Sequence, residues 1–280
     1  MPARTVAELG RGTDSVAYLV DGEWVFRFPV VPNAQRTLRR ELALLPGLGR
    51  ALPLAVPAVE HVGRRDGQLV FAGYRCLPGA PLTAAALAAL TPAAQEATLA
   101  DVAGFLTALH AYPAAAARAA GVAEEDLVGA YNPQQRDLHR RLGDLLTARE
   151  IARLDAMFDR YERDHEPDRL SPVLLHSDLK PEHVLYDSAA HRVAAVLDWG
   201  DVSLGDGDFD LAIVAMFFGE GFLRRLLTHL PGRDADTVLA KTRFFTAVRF
   251  LQDAVYDLQL DDRLALGESL VRLRDQLRAA

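Results

Sequence analysis

The chain has one cysteine, Cys76, in 280 residues. That excludes an intrachain disulfide and a cysteine-built metal cluster, and fits a reducing, cytoplasmic setting. No apolar run reaches the eighteen or so residues that span a bilayer, and the opening M-P-A-R-T-V-A-E-L-G has no signal-peptide hydrophobic core. No membrane partner is therefore expected. Internal repeats are also missing. Basic residues are outnumbered, with 31 Lys and Arg against 38 Asp and Glu for a net charge of -7. This balance argues against nucleic acid as a partner and for a cationic one. What is present is globular: 50% of residues are hydrophobic and 25% charged, in a chain long enough for two lobes.

The most informative stretch runs from Pro172 to Asp201, P-V-L-L-H-S-D-L-K-P-E-H-V-L-Y-D-S-A-A-H-R-V-A-A-V-L-D-W-G-D. Three short apolar runs, bounded by turn residues, read as strands with buried faces. Asp178 and Asp198 each stand just past such a run, where loops present side chains from a rigid scaffold. An Asp after a strand is often only a cap or turn residue. Here a loop, a hairpin and a second Asp coincide.

The run H-x-D-x-K-x-x-H (His176, Asp178, Lys180, His183) followed by V-L-D-W-G-D resembles the loops of the protein-kinase-like antibiotic phosphotransferases. The pattern is most similar to the aminoglycoside 2''-phosphotransferases and the macrolide phosphotransferases. The resemblance implies Asp178 as catalytic base and acceptor contact, Asp198 as the main Mg²⁺ ligand, and ATP or GTP as donor. Both carboxylate roles suit phosphoryl transfer, which needs an oriented hydroxyl and oxygen ligands for a hard cation. His183 stands at the second metal position, where most kinases carry Asn, and imidazole is the poorer Mg²⁺ ligand. Lys180 is placed to touch the transferred phosphate, and His176 to brace the loop backbone.

At the start, V-A-E-L-G-R-G-T-D-S-V-A-Y-L-V-D-G-E-W-V-F-R-F-P reads as strand, glycine turn, strand (Val16 to Val20), an Asp21-Gly22 hairpin turn and another strand. Gly10 and Gly12, with donors from Thr13 and Ser15, suit a loop over phosphates as well as an ordinary turn. Beside the downstream loops, the phosphate loop is the better reading. Arg27 holds the position where the family has Lys, either as phosphate clamp or as a plain strand-face cation. A helix is expected from about Asn33 to a stop at Pro46 and Gly47. Its Glu41 is the candidate partner of Arg27, unless it pairs with Arg36, Arg39 or Arg40 on a solvated face. Two strands, Val56 to Val62 and Gln68 to Arg75, complete the sheet. G-Y-R-C-L-P-G then resembles the family's hinge, implying nucleobase contacts at Tyr74 and Cys76; Pro78 and Gly79 serve a plain chain reversal equally well.

Beyond Leu82 the pattern is helical apart from the central hairpin. Thr91 caps a helix with Pro92 in its first turn and a stripe of Leu99, Val102, Phe105, Leu106 and Leu109. His110 reads as a structural residue at its end. Asn132 to Arg163 suggests one or two helices with Asp137, Asp144, Asp155 and Asp159 solvated. The run S-L-G-D-G-D-F-D-L-A resembles the family's G-D-P-x-x-D-L-A, which implies that Asp210 braces the catalytic loop and Asp206 caps; this acidic run lacks the spacing and terminal Glu of an EF-hand. Final helices are expected near 220–230, 234–258 and 262–278.

The expectation is a bilobal, protein-kinase-like α+β fold, with a small N-terminal sheet lobe (1–76) for nucleotide and a larger, mainly helical lobe (77–280). Its implied reaction is γ-phosphate transfer from ATP or GTP to an antibiotic hydroxyl, most simply on an aminoglycoside, by a cytoplasmic monomer. A cationic acceptor would be drawn by Asp201, Glu220 and the Asp253 and Asp257 pair, four apart on one helix face. Two alternatives stay open: a macrolide or small-metabolite kinase (choline, homoserine or amino sugar), and a kinase-like binding protein without catalysis, which Arg27 and His183 favour and the two aspartates oppose.

Overall fold

The computed structural model describes residues 5–12, 15–123, 138–164 and 172–279. In chain order these form β1 (Val6–Arg11), β2 (Ser15–Val20), β3 (Trp24–Pro29), α1 (Pro32–Ala51), β4 (Val59–Arg65), β5 (Gln68–Arg75) and β6 (Ala80–Pro81). Helices α2 (Ala84–Ala88), α3 (Pro92–His110), α4 (Ala114–Ala119), α5 (Leu138–Arg141) and α6 (Ala148–Asp164) follow, then strands β7 (Val173–Leu175), β8 (Val184–Asp187), β9 (Arg192–Val196) and β10 (Ser203–Gly205). The last elements are α7 (Asp208–Phe218), α8 (Glu220–Leu227), α9 (Ala235–Gln259) and α10 (Arg263–Ala279). Two compact units result, Met1–Ala123 with Asp178–Val202, and Glu124–Ser177 with Ser203–Ala280.

The first unit is built on an antiparallel sheet in the order β1-β2-β3-β5-β4. Asp21 and Gly22 have φ of 53° and 72°, the left-handed pair that a tight hairpin turn demands and that Asp-Gly predicts. Gly10 lies within β1 beside a register shift, opposite Ala17, rather than in the turn itself. Strand β4 starts at Val59 instead of Val56. The chain before it is engaged elsewhere: the Ala55 carbonyl accepts from the Val196 N–H and the Ala55 N–H donates to Ala194, forming a bridge to β9.

Helix α1 overrides its expected stop. It begins earlier, with Pro32 in its first turn, and runs through Pro46 to Ala51. An interior proline costs about 3 kcal/mol, but Leu44, Leu45 and Leu48 are all at most 3% exposed. Full burial of one leucine contributes about 1.5–3 kcal/mol, so three outweigh the proline. The helix lays Leu38 against Leu69 and Ala72 of β5, which holds Glu41 over the sheet face that carries Arg27.

A second sheet, β6-β8-β9, presents the hairpin. Gly79, with φ of 103°, precedes it, and a Cβ there would come within 2.9 Å of the Tyr186 carbonyl oxygen; the approach requires glycine. Helix α3 is capped as predicted, with the Thr91 side chain accepting from the Ala94 N–H, and its expected stripe is buried.

In the second unit β7 pairs antiparallel with β10, and the helices pack on α9, whose Phe244 ring stacks on Tyr161 at 4.2 Å. Asp144 and Asp159 are exposed and Asp155 is half-buried, while Asp137 falls outside the described residues. The three final helices occur where expected. Among the described residues no helix is long and apolar enough to cross a membrane.

Candidate active site

The two aspartates meet within the first unit. Asp178 follows the β7 segment and Asp198 follows β9, and both neighbourhoods bend sharply: φ is 67° at Ser177 and 59° at Asp198. Left-handed backbone at a non-glycine residue costs of order 1–3 kcal/mol and persists where the surroundings over-determine it. Here the surroundings are visible. Asp210, fully buried, accepts the N–H of His176 at 3.2 Å and that of Ser177 at 2.9 Å, and the Ser177 hydroxyl bonds that of Ser203 at 2.9 Å. The loop entering Asp178 is thus fastened by its backbone, as the acidic run predicts for Asp210.

Asp178 is 7% exposed. Lys180 Nζ lies 2.8 Å from its Oδ2, so the lysine that the resemblance assigns to phosphate here pairs with Asp178. His183, at the end of a short 3-10 turn, places Nδ1 2.8 Å from the Asp178 carbonyl oxygen. A carbonyl only accepts, so Nδ1 carries the hydrogen and the other ring nitrogen faces away from that carbonyl. That nitrogen, Nε2, stands 3.4 Å from Asp198 Oδ2. One imidazole therefore spans the two carboxylates.

Asp198 also faces β3. Arg27 reaches Glu41 at 2.8 Å and Asp198 Oδ1 at 3.6 Å. Burial works against the Arg27 charge, but Glu41 and Asp198 outweigh it and hold the guanidinium protonated, with its pKa raised. Burial likewise pushes the Glu41 carboxyl above its ordinary value, with Arg27 pulling it back. The solvated-face alternative for Glu41 fails, since its side chain is 4% exposed. Arg40, one residue earlier, donates instead to the Gly200 carbonyl, tying α1 to the segment after Asp198. Sequence reasoning left Arg40 among surface cations. Nothing in helical spacing alone marks it.

The remaining predicted residues are placed as follows. The Gly12 N–H donates to the Ser15 carbonyl at 2.9 Å, and Ser15 borders a small cavity with Arg27, Thr37 and Glu41. Thr13 lies outside the described residues. Tyr74 is buried on β5, and burial above all pushes its phenol up to about 12. Cys76 is exposed, its N–H bonded to the Glu23 carbonyl at 2.7 Å. Asp201 is exposed in the first unit, whereas Glu220, Asp253 and Asp257 belong to the second. Each of those three already has a partner: Glu220 pairs with Arg224 at 2.6 Å, Asp253 with Arg249 at 3.1 Å, and Asp257 accepts from the Ser269 hydroxyl at 2.7 Å.

The donor set around Asp198 fits magnesium. Its carboxylate is 46% exposed, a hard oxygen donor open to a cation whose other ligands are phosphate oxygens and water. Among the described residues no three His, Cys, Asp or Glu side chains gather as a metal cage.

Residues 5–245 match the phosphotransferase enzyme family. The chain belongs to that family. It is 32% identical over 127 residues to viomycin phosphotransferase of Streptomyces vinaceus, covering 44% of this chain and 39% of that one, so the match spans about two fifths of the relative's length. Among solved structures, the GDP and kanamycin complex of APH(2")-IIia superposes with a TM-score of 0.89 at 28% identity, over 99% of this chain and 94% of that one. The apoenzyme of macrolide 2'-phosphotransferase MphH from Brachybacterium faecium follows at a TM-score of 0.73 and 22% identity, over 96% and 92% of the two chains, and speaks for the fold alone. The kinase-like α+β fold expected of this phosphotransferase is therefore present.

Within this family member Arg27 is the sharpest departure, and its geometry makes a prediction. Arg27→Ala strands the buried Glu41 carboxylate, a loss of about 3–5 kcal/mol for a broken buried pair, and is expected to lower the melting temperature and raise the nucleotide KM or lower kcat. Arg27→Lys keeps the charge and much of the activity. Steady-state kinetics and thermal unfolding of the two variants check this; an unchanged Arg27→Ala enzyme would make the residue a plain strand cation.

The second unit holds one cluster that sequence reasoning missed. Lys241, 6% exposed, lies 2.7 Å from Asp206 and 3.0 Å from Asp208. The Tyr161 hydroxyl donates to Asp206 at 3.0 Å, and Arg233 pairs with Asp208. Asp206 also accepts the Asp208 N–H at 3.0 Å, the capping role expected of it. The cluster fixes the start of α7 and, through Asp210 on that helix, the loop before Asp178. Its signal was present: Lys241 falls on the apolar stripe of Val238 and Phe245, where a lone cation needs buried anions.

Proposed function

We propose that this phosphotransferase moves the γ-phosphate of ATP or GTP, with Mg²⁺, to a hydroxyl of an aminoglycoside antibiotic, and so confers resistance. The observation that carries the reading is the joining of Asp178 and Asp198 through His183, with Lys180 and Arg27 beside them. The kanamycin in the APH(2")-IIia complex supplies the acceptor class. Residues 1–76 form the nucleotide-binding lobe and 77–280 the lobe that takes the acceptor, with Tyr74 and Cys76 at the nucleobase and Gly10, Gly12, Thr13 and Ser15 over the phosphates.

Asp178 orients the acceptor hydroxyl and takes its proton. A carboxylate does both from one position, and its two neighbours, Lys180 and His183, keep it aimed. When bound, magnesium neutralises phosphate charge as it builds toward the transition state. Asp198 holds that ion, and His183 sets the Asp198 carboxylate relative to the base. Lys180 exchanges its bond to Asp178 for the transferred phosphate, and Arg27 clamps the remaining phosphates. Nearly all of the catalytic effect is positioning and charge.

The carboxylates offered to the acceptor are Glu220, Asp253 and Asp257 of the second unit and, separately, Asp201 of the first. Glu220 and Asp253 already hold arginines, so an arriving ammonium competes with Arg224 and Arg249, and the contact is salt-sensitive. The test is a coupled nucleotide-turnover assay over a panel of aminoglycosides, macrolides and small alcohols at several ionic strengths. Aminoglycosides should give the highest kcat/KM, and the acceptor KM should rise with salt more steeply than the nucleotide KM. Preference for a neutral or anionic alcohol would transfer the enzyme to the macrolide or metabolite class. No turnover with any acceptor would leave a binding protein.

A further inference from the structure

Helices α7 to α10 of the second unit border a half-open cavity of about 260 Å³. Its size is already a constraint. Pockets for drug-sized ligands run from about 300 Å³ upward, so a whole aminoglycoside does not fit and a molecule of a few carbons does.

One wall is apolar, formed by Met216 of α7 with Leu239 and Phe250 of α9. The same stripe of α9 is rich in donors: Thr242 and Thr246, one turn apart, with Arg243 between them, joined by Gln276 of α10. Thr242 is 7% exposed, and its hydroxyl is buried with no hydrogen-bond partner among the described residues. A helical threonine ordinarily satisfies that group on the carbonyl four residues back. Here it is unsatisfied beside the cavity, which is costly unless a ligand atom meets it.

Charge then selects the ligand. The acid on the lining, Glu220, is neutralised by Arg224 at 2.6 Å. Arg243 makes no ion pair among the described residues. The cavity therefore carries one solvent-exposed guanidinium without an ion-pair partner among the described residues, a planar fork that matches a carboxylate in a bidentate fashion.

We propose that this cavity binds a small monocarboxylate with an apolar body, its carboxylate on Arg243 and the Thr242 hydroxyl and its body against Leu239, Phe250 and Met216. Of the carboxylates proposed for the acceptor, Glu220 also lines this cavity.

Isothermal titration of the full chain, without nucleotide or antibiotic, tests the proposal whatever the enzyme phosphorylates. The probes are 4-methylpentanoate, its neutral amide, acetate and inorganic phosphate. Saturable binding of 4-methylpentanoate is expected. The amide, and the Arg243→Met variant, should each weaken binding by about tenfold or more, the scale of one charge-assisted hydrogen bond. Thr242→Val preserves shape and should weaken binding severalfold; it also serves if Arg243→Met does not fold. No saturable binding, equal binding of the amide or of phosphate, or binding indifferent to both substitutions would overturn the proposal and leave a water-filled gap between helices.

Discussion

Asp178→Asn is expected to lower turnover by about 10²- to 10⁴-fold, the usual contribution of a general base, with fold and nucleotide affinity kept. The amide is nearly the same size, so the backbone bonds that fasten the preceding residues to Asp210 are untouched. What changes is the chemistry at one oxygen. An amide neither accepts the acceptor's proton nor holds Lys180, whose Nζ sits 2.8 Å away in the parent. Lys180 is about one-third exposed, so losing this partner costs little stability. Single-turnover phosphorylation and nucleotide titration separate the two effects. A variant that phosphorylates at the parental rate would remove Asp178 from the role of base.

Replacing Asp198 should be more damaging still. Asp198→Ala is expected to abolish turnover and weaken magnesium-dependent nucleotide binding, because a divalent ion bridging phosphates needs a protein carboxylate. Alanine adds a backbone complication, since position 198 has φ of 59° and asparagine tolerates that conformation better. Asp198→Asn is therefore the cleaner variant; it keeps the shape and removes the charge that also faces Arg27 and His183. Full activity in Asp198→Asn at ordinary magnesium would exclude the metal role. His183→Asn, by contrast, should be tolerated: an asparagine N–H can replace Nδ1–H on the Asp178 carbonyl and its oxygen is the harder ligand. Inactivity of that variant at every magnesium concentration would count against the assignment.

Most of the site was legible because its signals are local. Apolar runs ending in Asp, a Gly-flanked hairpin and a capped helix each state their role within a few residues, and the structure places Asp178, His183, Asp198, Arg27 and Glu41 together. What was missed is non-local. Helix α1 passes through Pro46 because of the leucines it buries, which no rule about proline reveals. Lys180 reads as a phosphate contact by resemblance, yet in the protein alone it pairs with Asp178. Arg40 looks like a surface cation in sequence, and Lys241 shows itself only as a cation on an apolar stripe; both are structural in three dimensions, one bonding a carbonyl beyond Asp198 and the other lying between two buried aspartates. Burial partners of charged groups come from distant segments, and periodicity cannot name them.

The lone cysteine has a practical consequence. Cys76 is exposed, two residues beyond the buried Tyr74, with its own backbone N–H tied to Glu23. A thiol-reactive fluorophore therefore attaches at one position, on an anchored backbone, with no other cysteine to block first. Placed beside the segment assigned to the nucleobase, such a dye turns nucleotide arrival into an optical signal, and the variants above can be titrated without following turnover at all.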